Sequence, residues 1–183
     1  MIIKVLALNF TLLVSPCAWG DSDVLAEPKH GWLKNEKLSM LPLERETTAN
    51  HLSAYVANHL IKSKRTDRTT WATRLLGLAL ILHPENPRAI QTNQAIARGT
   101  SLPVLESELD AEVFARLLYH RSRGLAKNGG PDAILAPFLL AAAAYIAPYL
   151  EETVFEHESR HLREGALNWT PFSGQAPDTK RTR

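Results

Sequence analysis

The stretch that decides the fold is Thr69-Thr70-Trp71-Ala72-Thr73-Arg74-Leu75-Leu76-Gly77-Leu78-Ala79-Leu80-Ile81-Leu82-His83-Pro84. Trp71, Leu75, Leu78, Ala79 and Leu82 return every three or four positions, the period of one helical face, and His83-Pro84 stops the run. The same spacing comes back further along the chain. Ala72, Leu76, Ala79, Leu82 and Pro84 match Ala136, Leu140, Ala143, Ile146 and Pro148 at a constant offset of 64. Each block leads into another helical stretch, with Ala89 and Ile90 answering Thr153 and Val154. Small alanines let a neighbouring helix come close, leucines between them fill the gap, and proline ends one helix so that the next begins.

Outward from these blocks, helical periodicity fills residues 47–164. A first helix opens near Thr47 or Thr48, with Leu52, Tyr55, Val56, His59 and Leu60 on one face, and a basic turn over 62–68 ends it. After the second helix (69–82), Asn86 is a good N-cap and Pro87 suits the first position of a third, which Gly99 closes. A linker over 100–107 with Pro103 precedes a fourth helix, 108–127, closed by Gly129 and Gly130. The fifth begins at Pro131 or Asp132 and runs through Phe138 to Ala147, with Pro137 kinking it or marking its true start. The sixth, 150–163, is acidic in front at Glu151 and Glu152 and basic behind at Arg160 and Arg163, as the helix dipole favours. No stretch alternates with period two, so the expectation is an all-α fold of stacked antiparallel hairpins, about six helices.

The flanks differ in character. Residues 1–20 have the parts of a secretory signal: Lys4, an apolar run over 5–14, and small residues at Ala18 and Gly20, with cleavage expected after Gly20. The apolar run, about ten residues, is too short to span a bilayer, which takes roughly 20. Pro16 ahead of Cys17 disfavours a lipid-modified cysteine. The mature protein is therefore expected in the periplasm or outside the cell, and without Cys17 it has no thiol for a disulfide. Residues 21–46, interrupted by Pro28, Gly31 and Pro42, read as an extended lead-in, and 165–183 as a flexible tail. Asn168-Trp169-Thr170 in that tail fits a glycosylation acceptor, followed by Pro171. With 21 Lys and Arg against 19 Asp and Glu, the net charge of +2 gives no electrostatic case for nucleic acid or an anionic membrane.

The spacing of Ala72, Leu76, Ala79 and Pro84, repeated at Ala136, Leu140, Ala143 and Pro148, resembles the second helix of a tetratricopeptide repeat. Gly124 lies twelve residues before Ala136, where that family places the glycine of its first helix. The likeness covers about residues 50–165. It departs in the family's first-helix Trp, Leu and Tyr positions, in the missing glycine of the first block, and in an offset four short of two 34-residue repeats. The resemblance implies a concave groove that holds a peptide or a partner helix, hence a non-catalytic, exported scaffold for a protein or peptide partner, without cofactor.

Two alternatives arise elsewhere. His157-Glu158-Ser159-Arg160-His161 matches H-E-x-x-H, in which His157 and His161 share a helical face to hold zinc and Glu158 activates the bound water of a hydrolase. Against it stand the cation of Arg160 and the want of a third ligand, since neither Glu164 nor Asp178 sits where such enzymes carry one. Residues 133–150 carry no charge over a length at the lower bound of a membrane-spanning helix. Pro137, Pro148 and the basic flank of Arg121, Arg123 and Lys127 argue instead for a buried helix.

Overall fold

The computed structural model describes residues 38–102, 104–106 and 109–173, so the expected signal, the lead-in up to residue 37 and the tail from 174 lie outside the described residues. Every regular element among the described residues is helical. The elements are α1 (Pro42–Tyr55), α2 (Arg68–Leu82), α3 (Pro87–Ala97), α4 (Ala111–Asn128), α5 (Ala136–Ile146), α6 (Glu151–Glu164) and a single turn, α7 (Thr170–Ser173). A π turn, Val56–Leu60, prolongs α1, and a 3₁₀ turn, Pro131–Leu135, leads into α5.

Local chemistry sets most of the boundaries. The Asn86 side chain accepts from the Ala89 N–H at 2.9 Å, and Pro87 takes the first position of α3, where a missing N–H costs nothing. Asp110 caps α4 in the same way through the Glu112 N–H at 2.7 Å. Pro137 lies in the first turn of α5, so the fifth segment divides at that proline into the 3₁₀ turn and the α-helix.

At its front end the helical body starts earlier than the expected Thr47. Pro42 occupies the first turn of α1, five residues into what reads as lead-in. Met40 is buried just before it, and its N–H donates to the buried carboxylate of Asp132 at 2.9 Å. Arg121 of α4 pairs with Glu44 in the first turn of α1 and donates to the carbonyl of Ser39 at 3.2 Å. Side chains some eighty residues away thus fix this entrance, which no local period announces.

The 64-residue offset seen in the sequence is repeated in the backbone. α2 ends at Leu82 and α5 at Ile146, and the residues after them, His83 and Ala147, leave the helical conformation with similar dihedral angles (φ −144°, ψ 92° and φ −129°, ψ 77°) and donate to the carbonyls of Ala79 and Ala143. Asn86 N–H then bonds His83 O, as Leu150 N–H bonds Ala147 O, and α3 and α6 begin at the matching positions Pro87 and Glu151. In α2 almost every residue from Ala72 to Leu82 is buried, and in α5 every residue is. These two helices are the centre of one continuous core, with α1 and α3 against α2, and α4 and α6 against α5.

No helix among the described residues is long and apolar enough to cross a membrane. The uncharged run 133–150 contains the eleven-residue α5, about 16 Å long, against roughly 30 Å of hydrocarbon.

Candidate functional site

An aromatic seam joins α2 and α5. Trp71, at the start of α2, stacks on Tyr145, near the end of α5, with ring centres 4.0 Å apart. Two cations face this seam: the Arg65 guanidinium lies 3.7 Å above the Tyr145 ring, and Arg74 lies 5.3 Å from Trp71 and 5.6 Å from Trp169. Such cation–π contacts contribute about 0.5–2 kcal/mol each. The Tyr145 hydroxyl donates to Asp67 at 3.2 Å, and burial raises its pKa, so it stays protonated.

The chain's own residues 167–173 pack against α2 and against Phe138 of α5. Trp169 is 6% exposed and Phe172 is fully buried. Trp169 meets Trp71 edge-on at 5.6 Å and Phe138 of α5 at 4.9 Å, and Phe172 lies 4.2 Å from Phe138. Gly77 explains how the segment fits. A Cβ there would overlap the carbonyl of Phe172, so only the residue without a side chain lets the backbone of α7 rest directly on α2. The range expected as a flexible tail therefore contains a docked segment, because its two aromatic rings have an apolar slot to fill.

Within the segment, Phe172 and Ser173 both donate N–H to Trp169 O, and Thr170 N–H is capped by the Asn168 side chain at 3.0 Å. It joins α6 through Gly165, whose φ of +80° suits glycine, and through exposed Ala166.

The H-E-x-x-H residues lie on α6 as the spacing requires. His157 is half-buried and its Nδ1 is 3.4 Å from a carboxylate oxygen of its neighbour Glu158, while Glu158 and His161 are exposed. Arg160 pairs with Glu164 at 2.8 Å, which occupies the carboxylate one turn beyond the motif. Among the described residues no three His, Cys, Asp or Glu side chains converge in a metal-binding arrangement, and Asp178 lies outside those residues.

Comparison with known proteins gives no match to a family model, a curated protein or a solved structure.

Of the slot's residues, Trp71 belongs to a helical face and Trp169 to the glycosylation string read in the sequence, and none is singled out there as a binding residue. Two signals in the sequence point to them. Gly77 interrupts an otherwise strong helix former, and Trp169 with Phe172 places two large rings in a stretch rich in Gly, Pro, Ser and Thr.

Proposed function

We propose that this chain is an exported helical-repeat scaffold, related in architecture to tetratricopeptide repeats, that binds a protein or peptide partner without catalysing a reaction. The observation that carries this reading is the slot between α2 and α5. Its aromatic walls and its side-chain-free floor at Gly77 seat the backbone and two rings of a short segment of the chain itself. Recognition of this kind needs one or two buried aromatic anchors and a surround that excludes water. The paired hairpins at an offset of 64 supply the rigid walls.

Affinity capture tests the function. Purified mature protein, immobilised and exposed to an envelope extract of its host, retains a specific partner that is lost when Gly77→Val fills the slot floor. Retention of nothing above a helical control protein removes the scaffold reading. Export is tested separately, by mass spectrometry of the secreted chain, which begins at Asp21 if the signal is cleaved where its small residues indicate.

A further inference from the structure

We infer that Asn128-Gly129, at the joint between α4 and the 3₁₀ turn that leads into α5, is a self-modifying site, where the chain's own backbone converts Asn128 to aspartate and isoaspartate. Of the eight asparagines in the chain, only Asn128 is followed by glycine. The inference stands apart from the scaffold reading, because the reaction uses this chain and water alone.

The two residues bring the reacting groups together. The main-chain nitrogen of Gly129, once deprotonated, attacks Cγ of the Asn128 carboxamide. A bond forms between them, Nδ2 leaves as ammonia with the proton that the nitrogen lost, and a succinimide ring closes. Water then opens the ring at one of its two carbonyls. Opening at Cγ gives aspartate; opening at the main-chain carbonyl gives isoaspartate, in which the backbone runs through Cβ. Glycine carries no Cβ to crowd the carboxamide, and beyond its chain neighbours no described residue lies within 4 Å of where one would stand. Asn128 is itself exposed, so water and base reach it.

The fold sets the rate. Gly129 N–H donates to the carbonyl of Leu125 at 3.1 Å, the bond that closes α4. While that bond holds, the nitrogen keeps its proton and Asn128 stays helical. Helix ends fray at little cost in free energy, and Gly129, at φ +69°, already lies outside the helix. Ring closure therefore occurs in the frayed fraction. It runs more slowly than in an unfolded chain, and faster at alkaline pH, where more of the amide nitrogen is deprotonated.

The product bears on the entrance of the helical body. A new carboxylate at the C-terminal end of α4 meets the negative pole of the helix dipole. Isoaspartate also lengthens the main chain by one methylene, shortly before Asp132, whose buried carboxylate accepts Met40 N–H at 2.9 Å. Only Gly129, Gly130 and Pro131 separate the two residues, so the added length is passed to the Met40 contact and loosens the start of α1.

The test incubates the full chain in warm buffer and follows its tryptic peptide 128–160, which begins after Lys127, ends at Arg160 and holds Asn128 as its sole side-chain amide. Conversion makes the peptide heavier by the difference between a hydroxyl and an amino group, and splits it into two chromatographic forms. It proceeds about tenfold faster than at Asn50, Asn58, Asn93 or Asn168, faster in mildly alkaline than in mildly acidic buffer, and several-fold slower than in urea. Hydrogen exchange at the Met40 amide is about tenfold faster in the converted chain. Asn128→Gln, whose longer side chain would have to close a larger ring, keeps its Met40 protection through the same incubation. An unaltered peptide after other asparagines have reacted, or conversion indifferent to pH, overturns the site. Equal rates with and without urea overturn the gate at Leu125. Unchanged Met40 exchange in the converted chain, or equal loss of protection in Asn128→Gln, overturns the coupling to α1.

Discussion

The two hairpins, α2 with α3 and α5 with α6, share their turns residue for residue yet differ in what covers them. In the first, Asn86 caps α3, and its amide also donates to Asn50 of α1 at 2.8 Å, so α3 is fastened to two helices. In the second, the matching position is Leu150, which gives no side-chain cap, and Thr153 is the only fully buried residue of α6. Gly77 of α2 answers Ala141 of α5; both are buried, and the backbone of Phe172 rests on the glycine. One folded unit thus serves twice. The differences mark where something other than the repeat itself sits against it.

If the hairpins are equivalent, matched core residues carry equal loads. Leu76 and Leu140, one repeat apart, are both fully buried. Each replacement by alanine removes apolar contacts and leaves a cavity, so Leu76→Ala and Leu140→Ala each lower the unfolding free energy by about 2–5 kcal/mol. The two values agree within about 2 kcal/mol, the spread that differing local relaxation gives at Leu→Ala sites. Urea denaturation measures both. A cost below about 1 kcal/mol at one site alone shows that only the other hairpin belongs to the cooperative core.

The glycine sharpens the contrast. Elsewhere in a helix, Gly→Ala stabilises by about 1 kcal/mol, and Ala141→Gly loses about that amount. Gly77→Ala has the same helical benefit but overlaps the Phe172 backbone, an overpacking cost of about 1–3 kcal/mol that ends once the segment undocks. A net destabilisation of about 1 kcal/mol is expected, with Trp169 fluorescence shifting red as its ring becomes wet. Net stabilisation without a spectral shift would mean that α7 does not rest on α2.

Much of this arrangement is legible in the sequence, and the reasons are local. Asn86-Pro87 writes the start of α3 into two residues, and the alternation of Ala and Leu around Pro84 and Pro148 marks both central helices. The entrance at Pro42 and the docked turn at Thr170–Ser173 are not legible in this way. They depend on Asp132, Arg121 and Gly77, partners remote in sequence, and the two rings of the short segment show that it has apolar surface to bury without saying where. The H-E-x-x-H string shows the opposite hazard. It places His157 and His161 on one helix as its spacing requires, yet the same helical spacing sets Arg160 four residues before Glu164 and engages that nearby carboxylate in an ion pair.

The smallest effect concerns the outer face of α6. Phe155 and Leu162, seven residues apart and so on one stripe of the helix, are 75% and 84% exposed, on the side away from buried Thr153. Their rings and methyls stay largely in water in the folded chain, so unfolding exposes little further apolar area at either site. Phe155→Ser with Leu162→Ser therefore shifts the unfolding free energy by no more than about 0.5 kcal/mol per site, with an unchanged dependence on denaturant. On the first hairpin the matching helix behaves otherwise: Ile96 of α3 is buried, and Ile96→Ser exchanges that burial for a polar hydroxyl, at a cost several times larger. A loss above about 1 kcal/mol from the α6 pair would mean that its stripe is covered in solution. A midpoint that also rises with protein concentration would identify the cover as a second copy of the chain, since only association makes stability depend on concentration.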